Sequence, residues 1–153
     1  MRHLKAGRKF SILAPHRKAM FRNMVTSLML HGRVRTTDKK AKELRGIAER
    51  IITLSKRVPN ASLDGLEGEA LREALAKRVH AIRLARDWIT DRDVLTKVFT
   101  ELSNHFATRP GGYTRILKLS RRPGDSTEMS LVELVGEPWP PLTVATESAG
   151  DQA

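Results

Sequence analysis

The side chains best able to do chemistry in this chain are cations, and they crowd its first third. Residues 1–35 carry nine Lys and Arg and no Asp or Glu, and residues 36–58 add seven basic against three acidic residues. The first 58 residues therefore hold all of the excess charge in a chain whose net charge is +11. Arg presents a planar pair of donors to phosphate oxygens, and Lys presents a point charge. The pattern therefore indicates a polyanionic partner. Nucleic acid is favoured over a membrane surface or a merely solvated face. The nine cations are Arg2, Lys5, Arg8, Lys9, Arg17, Lys18, Arg22, Arg33 and Arg35.

Catalytic and metal-binding chemistry have no comparable support. Of the five histidines, at positions 3, 16, 31, 80 and 105, no two are spaced three or four residues apart, and the chain has no cysteine. Neither a metal site nor a disulfide is therefore expected. Asp91 and Asp93 follow Thr90, which predicts charges in the first turn of a helix rather than an acid–base pair. The segment GRKFS at 7–11 lacks the spacing of a phosphate-binding loop. We expect no enzyme, no cofactor and no small-molecule substrate.

Glycines and aromatic residues narrow the kind of partner. Gly111-Gly112 has two interpretations, a backbone that approaches a phosphate or a hinge between a helix and a strand. Only seven aromatic residues are present. Too few of them are expected outside the core to form a platform on which bases could stack. The composition therefore favours recognition of a folded RNA by its shape and backbone. Five of the seven are expected in or beside the core, namely Phe21, Trp88, Phe99, Phe106 and Tyr113.

The first helix must position many of these cations. Pro15 suits a first helical position and Gly32 suits the cap that ends a helix. Apolar residues recur between them at helical spacing, which predicts a buried stripe of Met20, Phe21, Met24, Val25 and Leu28. The opposite face is expected to be polar and basic, with His16, Lys18, Arg22, Asn23, Thr26 and Ser27.

The remaining pattern predicts one strand, three helices and a hairpin of two further strands. Arg33–Thr37 is expected to form a strand with Arg33 and Arg35 on its solvent-exposed face. Thr37 is expected to cap a helix that runs to Lys56, in which Gly46 indicates close packing. A third helix is expected from 69 to 85 with Leu71, Leu75, Val79 and Ile82 inward, and a fourth from Thr90. Strands at 113–119 and 129–135 are expected to flank a type II turn at 122–125.

The resulting order, α-β-α-α-α-β-β, predicts an α+β two-layer domain in which helices cover one face of a small three-stranded mixed sheet. We divide the chain into a basic RNA-binding arm at 1–14, a single globular domain at 15–135, and a flexible Pro-rich acidic tail at 136–153.

Six segments of the chain resemble a known family. They are MRHLKAGRKF at 1–10, HRKAMFRNM at 16–24, HGRVRTTDKKAKELR at 31–45, KVFTEL at 97–102, GGYTRILKL at 111–119 and MSLVELV at 129–135. In combination and order, they are similar to the bacterial large ribosomal subunit protein seventeen family. The resemblance implies a structural constituent of the large subunit that binds ribosomal RNA and neighbouring ribosomal proteins, without catalysis and without self-association.

The resemblance also implies which residues face RNA. Carried over by motif, these are Arg2, His3, Lys5, Gly7, Arg8, Lys9, His16, Arg17, Arg22, Asn23, Thr36, Thr37, Lys42, Arg45, Tyr113, Thr114 and Arg115. The charge pattern adds Lys18, Arg33, Arg35 and Lys39.

The chain departs from the family pattern at Leu4, where a basic residue is common, in a longer region at 57–90, and in its tail. Because no presequence precedes the MRH start, a cytoplasmic bacterial ribosome is expected rather than an organellar one.

Two rival functions would also account for part of the pattern. A general nucleic-acid chaperone or an architectural DNA binder would also have a basic N-terminal region. Binding by charge alone does not require the GGYTR and AKELR motifs. An RNA-modifying enzyme would need a cofactor loop or an acid–base cluster.

Overall fold

The computed structural model describes residues 7–59, Leu63 and residues 65–136. Arg2, His3 and Lys5 of the arm, and the tail from residue 137 onward, lie outside this part. Within it, the elements follow the expected order. They are α1 (Ala14–His31), β1 (Arg33–Thr37), α2 (Asp38–Lys56), α3 (Gly68–Arg86), α4 (Arg92–Lys97, a π-helical turn Val98–Leu102 and a last turn Ser103–His105), β2 (Thr114–Lys118) and β3 (Met129–Leu134).

Helix α1 forms as its sequence pattern predicts. Proline occupies its first turn, and Gly32 ends it with a left-handed φ of 72°, a conformation that glycine adopts without a Cβ clash. The Gly32 N–H donates to the carbonyl of Leu28 at 2.8 Å. Phe21, Val25 and Leu28 are buried, so the apolar stripe faces the core as expected. This orientation leaves the opposite face of α1 for polar and basic side chains.

The sheet is entirely antiparallel, in the order β1-β3-β2. The expectation of a mixed sheet was therefore wrong. Strands β1 and β2 do run in the same direction, but β3 lies between them and pairs with both, so no parallel pair exists in this sheet. The register aligns Val34 with Val132 and Val132 with Ile116, which places this row on the face that the helices cover. The α+β two-layer plan is confirmed.

Helix α2 supplies the centre of the core, where Leu44, Ala48 and Ile51 are buried. Two details differ from the sequence-based prediction. Thr37 stands at the cap position without a side-chain cap bond. The Asp38 N–H, in the first helical residue, donates to the carbonyl of Glu128 at 3.0 Å.

The second difference concerns Gly46. It is exposed, and a Cβ built on it would meet no atom within 4 Å. The prediction of close packing at this glycine was wrong.

Helix α3 contacts the fold along a narrow strip. Ala81 and Ala85 are buried, whereas Leu75 and Val79 are 41% and 43% exposed. The prediction that these two larger side chains point inward was wrong. The small alanines allow α3 to approach its main neighbours, α2 and α4, and the larger side chains lie at the rim of that contact.

Helix α4 is capped by Asp91, whose Oδ1 accepts the N–H of Asp93 at 2.8 Å and that of Val94 at 3.3 Å. This confirms that the aspartates belong to the start of a helix, since a carboxylate there satisfies free backbone donors. An apolar stripe of this helix is buried, formed by Val94, Val98, Phe99, Leu102 and Phe106.

The loop between β2 and β3 turns at Gly124, whose φ is 97°. The Ser126 N–H donates to the carbonyl of Arg122 at 3.1 Å, so the hydrogen bond spans one residue more than in the predicted type II turn. In the described part of the chain, no helix has the length and hydropathy needed to cross a bilayer.

Candidate nucleic-acid interface

The described part of the basic arm, residues 7–13, is anchored by an aromatic contact. The ring of Phe10 lies 5.8 Å from that of Phe21, centroid to centroid. Phe10 and Ser11 adopt left-handed φ angles of 59° and 53°, and the Ile12 N–H donates to the carbonyl of Lys9 at 3.3 Å. The arm therefore makes a tight turn over the apolar side of α1.

Polar contacts tie the same segment to both long helices. The Arg8 Nη1 donates to Glu43 Oε1 of α2 at 2.7 Å, and the Arg17 Nη1 of α1 donates to the carbonyl of Lys9 at 3.3 Å. Arg8 and Lys9 are exposed. The arm, the start of α1 and the side of α2 thus form one continuous surface, which we call the arm surface.

The polar face of α1 extends this surface toward the end of α3. His16, Lys18 and Asn23 are exposed. The Lys18 Nζ donates to Asp87 Oδ1 at 2.7 Å and lies 6.0 Å from the centroid of the Trp88 ring. The hydrogen bond from Lys18 holds the pKa of the Asp87 carboxyl below its ordinary value. Lys18 therefore points outward as expected, but it is already paired with an acid.

Arg22 occupies a different environment from its neighbours. Its side chain is half-buried, and its Nε is buried with no hydrogen-bond partner in the described part of the chain. An arginine nitrogen is a strong donor, and leaving it unsatisfied is costly. The guanidinium of Arg22 thus keeps one buried donor, its Nε, unused.

The exposed face of α2 carries Lys39, Lys42 and Arg45. The Lys42 Nζ lies 2.8 Å from Asp38 Oδ2, one helical turn earlier. This hydrogen bond, together with the Coulombic attraction of Lys42, lowers the pKa of Asp38. Thr36 and Thr37, which precede α2, are half-buried in β1.

The face of the sheet opposite the helices gathers three arginines. Arg33 and Arg35 share this face, as predicted, and the register aligns both Arg33 and Arg115 with Glu133. The Arg115 Nε donates to Glu133 Oε1 at 2.7 Å. Sequence patterning could place Arg33 and Arg35 together, but only the strand order reveals that Arg115 joins them.

Lys118 and Arg121 are two cations that the sequence-based interpretation did not include. They line a cleft of about 170 Å³ that also includes Asp38 and Ser130, so β2 and its loop bring positive charge to the start of α2. The signal in the sequence is the run RILKLSRR at 115–122, in which basic residues recur through a predicted strand and turn.

Tyr113 and Thr114 lie in the core, with 2% and 9% of their surfaces exposed. The Lys56 Nζ donates to the Tyr113 hydroxyl at 3.1 Å, and the Thr114 hydroxyl donates to Glu49 Oε1 at 2.9 Å. These side chains join α2 to β2 and do not form part of the exposed surface.

The fold and surface together define a class: a small, basic α+β protein whose described residues bring together no metal-binding cluster. Residues 20–135 match the family model for Ribosomal protein L17. The chain is 49% identical over 137 residues to the large ribosomal subunit protein bL17 of Geobacter sulfurreducens, covering 90% of this chain and 67% of the relative. It is 48% identical over 149 residues to the bL17 of Myxococcus xanthus, covering 97% and 94% of the two chains. The bL17 of Pelobacter propionicus is 44% identical over 141 residues, with 92% and 96% covered.

The chain therefore belongs to the ribosomal protein L17 family. The relatives are named as ribosomal proteins, which makes this a non-enzymatic family and agrees with the expectation that the chain is not an enzyme.

Proposed function

We propose that this protein is a structural constituent of the large subunit of the cytoplasmic bacterial ribosome. In this role it binds folded ribosomal RNA and neighbouring ribosomal proteins without catalysis and without self-association. Its family membership supports the place in the ribosome. The contact with RNA is supported above all by the arm surface, where Arg8 and Lys9 are fixed beside Arg17.

The RNA-binding residues that we propose fall into three groups: the arm and α1, β1 with α2, and the outer face of the sheet. Tyr113 and Thr114 are omitted because their side chains are buried. The proposed residues are Arg2, His3, Lys5, Gly7, Arg8, Lys9, His16, Arg17, Lys18, Arg22, Asn23, Arg33, Arg35, Thr36, Thr37, Lys39, Lys42, Arg45 and Arg115.

When RNA binds, its phosphates replace protein carboxylates beside basic side chains that are already held in place. Glu43 and Asp87 pair with Arg8 and Lys18 at 2.7 Å in the free chain. Exposed pairs of this kind are weak, on the order of 0–1 kcal/mol, so phosphate oxygens can replace the carboxylates. Engaging roughly 7–10 phosphates would give a slope of log K against log salt of about −5 to −9.

A triple substitution tests this role. Replacing Arg8, Arg17 and Arg22 with Ala removes three charges from the arm surface, and we expect the chain to fold but to enter large subunits poorly. The matched control replaces three exposed arginines of α3, namely Arg72, Arg83 and Arg86, which changes the net charge equally. Circular dichroism would report folding and quantitative mass spectrometry of purified subunits would report occupancy. Equal occupancy for the two variants would contradict the proposed RNA surface.

Sedimentation separates the proposed function from that of a general nucleic-acid binder. In a high-salt gradient of cell extract, a constituent of the ribosome should migrate with the large subunit. A free or DNA-bound pool at the same salt concentration would favour an architectural or chaperone function.

A further inference from the structure

The face of the sheet opposite the helices carries an exposed group of large apolar side chains. Leu117 and Leu119 are 39% and 36% exposed. Leu117 aligns with Leu131 in the register, and the Leu119 N–H donates to the carbonyl of Met129 at 2.9 Å. These four residues, Leu117, Leu119, Met129 and Leu131, are called the outer-face patch below. Their alternation with the buried residues Ser130 and Val132 shows that they point away from the core.

An RNA helix is a poor match for the outer-face patch. Ribose and phosphate surfaces are polar, so covering leucine with them recovers little of the free energy gained when apolar surface leaves water. Contiguous apolar side chains on a protein surface more often mark a contact with another protein. The chemistry of the patch therefore favours a protein partner.

Charge disfavours a second copy of this chain as that partner. Arg33, Arg35 and Arg115 share the face with the patch, whereas Glu133 is hydrogen-bonded to Arg115. Two identical sheets packed face to face would bring the same arginines together, and like charges at an interface oppose association. A complementary partner carries carboxylates.

We infer that the outer-face patch docks a neighbouring protein of the large subunit, through a segment that presents apolar side chains to Leu117 and Leu131 and a carboxylate to Arg35. This inference rests on the proposed place of the chain in the large subunit. It does not depend on RNA contacts by the arm surface, so those two ideas can fail separately. It does compete with the RNA contact proposed above for Arg35, because a carboxylate partner at Arg35 would remove this residue from the RNA-binding set.

Site-directed crosslinking in assembled subunits tests the inference. The natural chain has no cysteine, so Leu117→Cys provides a single position for a thiol-linked photocrosslinker. The labelled chain is incorporated into large subunits that lack the native copy, irradiated, and analysed for crosslinked peptides and nucleotides. Leu84→Cys, at a leucine with 44% exposure on α3, is the matched control.

The expected product at position 117 is a peptide of one other large-subunit protein, with apolar and acidic residues, that position 84 does not yield. A crosslink to ribosomal RNA, a crosslink to a second copy, or a label that stays open to solvent would overturn the inference. A parallel Arg8→Cys probe reports on RNA contact by the arm surface and thus on the proposed function alone.

Retention of the chain provides a second measurement if the label prevents incorporation. Leu117→Asp should lower occupancy after a high-salt wash by about tenfold, since it removes one buried leucine from the contact. Leu84→Asp should not, and Leu117→Met should retain most of the wild-type occupancy. Equal retention for the two Asp variants would count against docking at this face.

Discussion

The Lys18 Nζ lies 2.7 Å from Asp87 Oδ1, which links the polar face of α1 to the residue that follows α3. These residues are 69 positions apart in the chain, and both side chains are about half exposed. Asp87 also lies within electrostatic range of Arg22. This carboxylate therefore moderates the positive potential of the surface that we propose for RNA.

Asp87→Asn should strengthen RNA binding. The substitution removes a negative charge beside Lys18 and Arg22, so a phosphate meets less repulsion and less competition. We expect affinity for large-subunit RNA fragments to rise by a few-fold at low salt and the gain to shrink as screening increases. Filter binding across a salt series measures this.

The control for Asp87→Asn is Glu73→Gln, which breaks the exposed Lys77–Glu73 pair on α3 and should leave RNA affinity unchanged. A loss of affinity in Asp87→Asn would show that the aspartate instead positions Lys18 for binding.

Phe10→Ala should weaken RNA binding without any change in charge. Loss of the contact with Phe21 releases the arm, so Arg8 and Lys9 must be ordered at the moment of binding. We also expect a loss of about 1–2 kcal/mol in unfolding free energy, because the ring of Phe10 is half-buried and its aromatic contact is lost.

Urea denaturation and RNA titration provide the two readouts for Phe10→Ala. Leu13→Ala, at a side chain that is 81% exposed, is the control and should change neither. Wild-type affinity in Phe10→Ala would mean that the aromatic anchor is irrelevant to the arm surface.

Gly46→Ala should stabilise the free protein. Gly46 is exposed in α2, and the added Cβ meets no neighbouring atom, so the substitution removes chain entropy from the unfolded state at no steric cost. The expected gain in unfolding free energy is about 0.5–1 kcal/mol, measured by urea denaturation.

Gly32→Ala is the opposite case, because the φ of 72° at Gly32 strains any residue with a Cβ. We expect this substitution to destabilise the protein. Destabilisation by Gly46→Ala would reveal a packing demand that the structure does not show.

Asp38 should make stability depend on pH in the acidic range. Its side chain is largely buried, and the hydrogen bond from Lys42 lowers its pKa below the ordinary value of 3.8. The unfolded chain therefore binds a proton more readily than the folded chain. The contribution is complete above pH 3.8 and is lost as the pH falls through the folded pKa.

The test for Asp38 compares unfolding free energy between pH 6 and 2 for the wild type and for Asp38→Asn, the range being about two units on either side of the ordinary carboxyl pKa. The excess unfolding free energy of the wild type over Asp38→Asn should disappear as the pH falls. Parallel pH profiles would refute the assignment.

Local sequence signals predicted most of the fold, whereas tertiary neighbours decided the rest. Pro15 and Gly32 mark the ends of α1 through effects confined to one helical turn, so its extent could be predicted. Periodicity also groups Leu75 and Val79 on one face of α3, but it carries no information on whether that face meets another element. The structure shows that it lies at the rim.

In the candidate interface too, local sequence signals predict some of the residues and tertiary contacts determine the others. The alternation in β1 placed Arg33 and Arg35 together, because two-residue periodicity is a local property. The pairing of Lys18 with Asp87 and the position of Arg115 beside Glu133 depend on contacts between distant segments. The burial of Tyr113 and Thr114 also depends on tertiary packing, which the GGYTR motif does not reveal by itself.

The central position of β3 constrains the order in which this chain can fold during its synthesis. β1 and β2 both pair with β3, which is made last, so neither has a partner in the sheet until Met129–Leu134 leaves the exit tunnel. The N-terminal helices and β1 must remain soluble through the synthesis of nearly one hundred further residues, counted from Thr37 to Leu134. Long-range pairing of this kind is slow and leaves apolar surface open in the meantime. Nascent chains that end before β3 should therefore depend on chaperones far more than the finished protein does.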